Sequence, residues 1–267
     1  MAAFTALVLA GRRESSDALA GVWGAQHRAL LDVNGVPMLL RVVRTLREAE
    51  GVGRIVVSID DPEALEAVDE LRALVAEGAL LLHTSLDSPS RSVLDLLEGL
   101  PPGEKALLVT ADHALLTREM VDHFTAAADA TGADVCVALV AATLLRAHFP
   151  QSKRTYLEFR DDGYSGANLF AFRTAQAGRA VAFWRRAERF RKRPWRMVGT
   201  FGPVTLALFL LHRLDLDAAF ERMSRAIGAR VRPIRMPFPE AAIDVDRPAD
   251  LALVSQILKE RAEGERA

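Results

Sequence analysis

Cysteine is nearly absent. Cys136 stands alone among 267 residues, so no intrachain disulfide can form, and nothing has the spacing of a zinc site. It sits in Asp134-Val135-Cys136-Val137-Ala138-Leu139-Val140, a run that predicts a buried strand, and its thiol is expected to fill core. This scarcity fits a reducing cytoplasm. An excess of either charge is missing too. Lys plus Arg is 34, Asp plus Glu is 35, and the net charge is −1, so bulk charge gives no ground for nucleic-acid binding. Val204–Leu211 is a nearly continuous apolar run but far shorter than the about 20 residues of a membrane span. No basic stretch and cleavage site surround Phe4–Ala10, which is expected to be a core strand rather than a leader. No internal repeat or low-complexity linker is visible.

Apolar residues make up 50% of the chain, enough for a sizeable core. The first half alternates. Strands are expected at Thr5–Ala10, Arg54–Ile59, Ala79–His83, Ala106–Thr110 and Asp134–Val140. Helices are expected at Met38–Glu50, Pro62–Glu77, Ser90–Gly99 and Arg118–Thr131. Short, continuous apolar strands joined by helices predict a mostly parallel sheet covered on both faces, a three-layer Rossmann-like α/β sandwich. After Pro150 the pattern changes. Strands are expected at Tyr156–Arg160, Asn168–Phe172 and Val231–Met236. Helices are expected at Thr174–Arg191, Pro203–Leu211, Asp215–Ile227 and Pro248–Glu263. The chain reads as one domain over 1–267, with 142–240 as an elaboration on the same sheet.

The first forty residues carry the sharpest signal. Phe4–Ala10 runs into Gly11, then a polar stretch with Arg12, Arg13, Asp17, Gly21 and Gly24. His27-Arg28-Ala29-Leu30-Leu31 follows, and Asn34-Gly35-Val36-Pro37-Met38-Leu39 opens an amphipathic segment. A loop leaving the C-terminal end of a buried strand is where open α/β sheets bind ligands. Its backbone N–H groups and arginines can hold a triphosphate. A second apolar strand, Ala106–Thr110, leads straight to Asp112, whose carboxylate faces the same crevice. A third stretch, Ile243-Asp244-Val245-Asp246-Arg247-Pro248-Ala249-Asp250-Leu251, spaces two aspartates so that a strand would place them on one face.

These three stretches together resemble the nucleotidyltransferase family that includes molybdenum-cofactor guanylyltransferase. Leu9-Ala10-Gly11 and Gly35-Val36-Pro37-Met38-Leu39 match its LAGG and G-x-P-[LM]-[LI] motifs. Arg12 replaces the second glycine, Arg28 the usual lysine, and Ala114 the proline after the strand-end aspartate. The resemblance implies a GT-A-like sheet and a Mg²⁺-dependent transfer of a nucleoside monophosphate from a triphosphate, with release of diphosphate. It implies that Asp112 and Asp246 bind Mg²⁺, with Asp244 nearby, and that Asp250 supports the start of the last helix. Arg13 and Arg28 would neutralise the β- and γ-phosphates, with Arg12 beside them. Leu9, Ala10 and Gly11 would line the nucleotide, His27 and His113 would flank the site, and Gly166 and Asn168 would line the acceptor pocket. The acceptor is expected to be a small phosphorylated molecule or a phosphorylated lipid. A glycosyltransferase using a nucleotide-sugar on the same fold is the alternative enzyme. A non-catalytic nucleotide-binding or membrane-associated protein is the alternative outside catalysis.

One further segment stands out. Arg179–Arg196 carries eight Lys or Arg residues interleaved with Phe183, Trp184, Phe190 and Trp195. With Val204–Leu211 it suggests either peripheral contact with the inner face of a membrane through 179–211, or a solvated helix face beside a buried hairpin. The oligomeric state is not legible.

Overall fold

The computed structural model describes residues 3–11, 27–187 and 199–264. Strand β1, Phe4–Leu9, is buried along nearly its whole length. It pairs in parallel with β4, Val52–Ile59, on one side and with β6, Lys105–Thr110, on the other. Both its faces are therefore covered, which is why it reads as an unbroken apolar run. β5 (Leu81–Thr84) extends the sheet beyond β4. β9 (Gly163–Phe172) lies beyond β6, followed by β7 (Val135–Ala141) and β10 (Val231–Arg235). The order is β10-β7-β9-β6-β1-β4-β5, and β8, Leu157–Glu158, pairs with β9. In this sheet β9 alone breaks the parallel pattern, running against β6, β7 and β8.

Helices close both faces. α1 (Met38–Glu48), α2 (Asp69–Ala76) and α4 (Arg118–Thr131) pack Leu39, Val43, Leu71 and Phe124 against Ala6, Val8 and Val109. On the opposite face α3 (Pro89–Glu98) and α6 (Ala177–Ala187) pack Val93, Leu96 and Val181 against Leu7 and Leu108. α5 (Ala142–His148), α7 (Pro203–Leu210) and α8 (Leu216–Ile227) lie within 142–240, and α9, Pro248–Gly264, is the last described helix. The result is the three-layer, mostly parallel Rossmann-like sandwich that the sequence pattern predicts.

Three local departures have physical causes. The segment expected as one helix, Pro62–Glu77, is a 3₁₀ turn, Pro62–Ala67, and then α2, separated by an extended Val68. Buried Leu65 and Leu71 are six residues apart, which one continuous helix cannot turn to the same face. β9 begins at Gly163, five residues before the expected start. Its polar, glycine-containing first half has weak intrinsic strand preference and is held by ladders to β7 and β8. Finally, Asn34 and Gly35 both adopt positive φ (55° and 82°) between the paired strands β2 (Asp32–Val33) and β3 (Val36–Pro37). This two-residue hairpin turn precedes α1.

Candidate active site

β6 carries its chain to Asp112 at the C-terminal edge of the sheet. Thr117, not Asp112, caps α4 by accepting from the Met120 N–H, so the Asp112 carboxylate is left for other work. Thr110 donates its hydroxyl to one Asp112 oxygen. The Val245 N–H donates to the Asp112 carbonyl oxygen (3.1 Å) and docks the 243–246 segment beside it. Asp112, Asp244 and Asp246 can each offer one carboxylate oxygen, all within 4.8 Å of one another.

Two guanidiniums meet this trio. Arg28 Nη2 lies 3.2 Å from Asp112 Oδ2 and 2.7 Å from Asp246 Oδ1, and donates to the Val245 carbonyl at 2.7 Å. Arg154 bonds the Asp244 carboxylate and its carbonyl oxygen and reaches Asp250 Oδ1 at 3.3 Å. Asn168 Nδ2 donates to the other Asp244 oxygen at 2.8 Å. Asn168 can do so because its backbone is left-handed (φ 51°), at an irregularity in β9. Below it, Val109 of β6 pairs with Leu169; above it, β9 pairs only with β7 and β8. The strands part there, and the trio lies where they part.

Burial, and next the charge of Asp244, push the Asp112 carboxyl above the usual carboxylate range, with Asp246 adding to the effect; Arg28 and Thr110 pull the other way. Carboxylates that repel one another yet are held together are suited to a hard divalent cation, which takes oxygen ligands. The donor set, all oxygen and no sulfur or imidazole, fits such an ion.

The remaining sequence-predicted residues fall as follows. Leu9 ends β1, Ala10 is buried, and Gly11 is exposed. A Cβ on Gly11 would lie 2.8 Å from Ser85 Oγ and 3.2 Å from Ser85 Cβ, so glycine allows the loop start to press against the β5–α3 connection. Arg12 and Arg13 lie outside the described residues. His27 is buried. Its Nδ1 accepts from the Ala29 N–H and its Nε2 is 3.0 Å from Asp60 Oδ1, so it caps the 3₁₀ turn Arg28–Leu30 and sets the direction of Arg28. His113 is 1% exposed, with no hydrogen-bond partner for either ring nitrogen, and burial pushes it down to about 4. Gly166 has open space where a Cβ would stand, so no protein atom requires glycine there. Asp250 accepts from the Arg247 backbone N–H at 2.9 Å and supports the start of α9.

Of the residues assigned from sequence, the structure thus brings Arg28, Asp112, Asn168, Asp244 and Asp246 together. Arg154 had no sequence signal. It lies in a stretch of irregular chain before β8, and only the fold brings it to Asp244. A Ser58–His83–Asp95 relay (2.9 Å at each step) was also not legible. Ser58 is fully buried, so the relay ties β4, β5 and α3 together and offers no nucleophile.

The mostly parallel sandwich, with an acidic trio at the C-terminal edge, defines a nucleotidyltransferase of GT-A-like fold. The chain belongs to the MobA-like NTP transferase domain family, whose signature matches residues 6–189. It is 35% identical over 115 residues to a 3-deoxy-manno-octulosonate cytidylyltransferase of Sinorhizobium medicae (strain WSM419), covering 43% of this chain and 42% of that one. The match thus spans less than half the length of that relative. Among solved structures, a hypothetical transferase from Thermus thermophilus superposes with a TM-score of 0.75 at 29% identity, over 93% of this chain and 99% of that one. A CMP:2-keto-3-deoxy-manno-octonic acid synthetase complexed with CTP shares the fold, with a TM-score of 0.57 at 14% identity over 97% and 100%.

Proposed function

We propose that this nucleotidyltransferase moves a nucleoside monophosphate from a nucleoside triphosphate to a small phosphorylated acceptor with release of diphosphate. The observation that carries this reading is the convergence of Asp112, Asp244 and Asp246 beside the end of β1. The acceptor oxygen bonds to the α-phosphorus, and the bond from that phosphorus to the bridging oxygen of the leaving diphosphate breaks. Such a reaction rests on positioning and charge neutralisation rather than on a protein nucleophile. The three aspartates would hold Mg²⁺, which supplies charge neutralisation at the α-phosphate when bound. Arg28, which meets both Asp112 and Asp246, would set their spacing and, with Arg13 and Arg12, neutralise the β- and γ-phosphates. Asn168 and Arg154 orient Asp244. Gly166 lies on the acceptor side, and 142–240 is the acceptor-side part of one unit spanning 1–267.

CTP is the first donor to try, because similar proteins carry the name cytidylyltransferase. The test is diphosphate release with Mg²⁺ and each of CTP, GTP, ATP and UTP. The acceptor panel holds phosphorylated small molecules, a phosphorylated lipid and 3-deoxy-manno-octulosonate. Release with one pair, reduced at least about a hundredfold in Asp112→Ala, is the expected result. Turnover unchanged by Asp112→Ala refutes the site. We further propose a cytoplasmic location, with 179–211, of which 188–198 lie outside the described residues, as a surface for the inner face of a membrane. Among the described residues no helix is long and apolar enough to cross a membrane, and Val204, Leu210 and Leu211 are exposed. Sedimentation with anionic vesicles at low salt tests that contact, and its absence removes it.

A further inference from the structure

A second cavity lies away from the carboxylates. It is bounded by β7, β9 and β10 on one side and by α6, α7 and α8 on the other, and its volume is about 290 Å³. Val137 and Phe170 form its floor, and Trp184, Phe220 and Met223 its walls. Interiors seldom leave voids larger than a water molecule. This one is about twice the roughly 150 Å³ that admits a benzene in an apolar core.

Its chemistry is one-sided. Two lining residues carry side-chain hydroxyls, and both hydroxyls are taken. Thr205 donates to the Phe201 carbonyl at 3.0 Å, and Tyr164 donates to Asp161 at 2.8 Å. Among the described lining residues the Trp184 indole N–H is the one side-chain donor left over, so the interior suits hydrocarbon. Val204, Leu210 and Leu211, on α7 and just past it, are 62%, 58% and 65% exposed. Two cations are chain neighbours of the wall: Arg185 follows the lining residue Trp184 and Arg213 precedes the lining residue Leu214; both are exposed and neither has a carboxylate partner among the described residues.

We infer that this cavity binds the hydrocarbon chain of a single-chain anionic amphiphile, with its head group held by Arg185 and Arg213. The aromatic residues of α6 then have a definite use: Phe183 and Trp184 line the cavity. This goes beyond nucleotidyl transfer and does not depend on it.

The experiment is calorimetric titration of the full chain with dodecyl phosphate, below its micelle concentration and without nucleotide. Inorganic phosphate is the control. One dodecyl phosphate per chain is expected, with no competition from inorganic phosphate. Ala219→Phe and Ala180→Leu, which fill the cavity from two sides, should each weaken binding at least tenfold with the thermal midpoint kept. No binding, binding unchanged in both variants, or full competition by inorganic phosphate overturns the proposal. A brominated dodecanoate should also quench Trp184 when it is left as the single fluorophore in Trp23→Phe/Trp195→Phe protein, a readout that leaves the cavity lining unaltered. Absence of quenching overturns it too.

Discussion

Asn168 shows how much one residue can decide. Its positive φ and its hydrogen bond to Asp244 are two separate properties, and two substitutions separate them. Asn168→Gly keeps the left-handed backbone and removes only the bond. It should leave stability nearly unchanged and weaken Mn²⁺ binding to the trio about tenfold, as loss of an orienting partner does. Asn168→Ala should do the same and lose about 1 kcal/mol more in urea denaturation, because a Cβ is unfavourable at that φ. Equal stability of the two variants would show that the backbone is not held there. Asp112 and Asp246 were legible at this scale because the motifs around them are distinctive. Arg154 was not, since no local pattern marks an arginine that reaches an aspartate ninety residues later. His27 was legible as a neighbour of the site but not as a turn cap.

At the scale of elements, the start of α9 is joined to the site through Asp250. That side chain is 5% exposed, bonds the Arg247 N–H and meets Arg154, which in turn holds Asp244. Asp250→Ala removes the support of the helix start and leaves a buried guanidinium with one fewer partner. The expected cost is about 2–4 kcal/mol by chemical denaturation, with Asp250→Asn in between. A loss below about 0.5 kcal/mol would mean that Arg154 is held by Asp244 alone. Most elements could be read from the sequence, because parallel strands buried on both faces and amphipathic helices have different periods. β9 was half read. Its first half owes its extended form to β7 and β8, so local preference could not show where it starts. Nor could it show that the strand runs against its neighbours.

For the whole molecule, His113 ties global stability to pH. Burial, then the charges of Arg261 and Arg154, hold its imidazole down to about 4, while the unfolded chain titrates near 6.5. Acidification therefore protonates the unfolded chain first. The contribution is intact above about pH 6.5, falls as pH drops toward 4, and levels off below that. The gap corresponds to about 3 kcal/mol. His113→Leu should flatten the stability profile across this window by about that amount, read from urea midpoints at pH 7 and 4.5. An unchanged slope would mean that the ring is reached by solvent. The general architecture was legible from the alternation of strand and helix. The cavity under β7, β9 and β10 was not, because an apolar residue beside a void looks the same in sequence as one packed tightly.

The irregularity at Asn168 has a consequence for how this family can diversify. Residues 169–172 are registered against β6 and 170–172 also against β7, while 164–166 are registered against β7 without β6. Only the second half is thus held by both neighbours, and the register shift against β7 between the halves takes up the mismatch. A change of length in the 159–162 turn between β8 and β9, which lies past Arg154, can then be taken up without shifting the Asn168 side chain that orients Asp244. The length of that turn can drift from one relative to the next while the carboxylate arrangement beneath it is inherited intact.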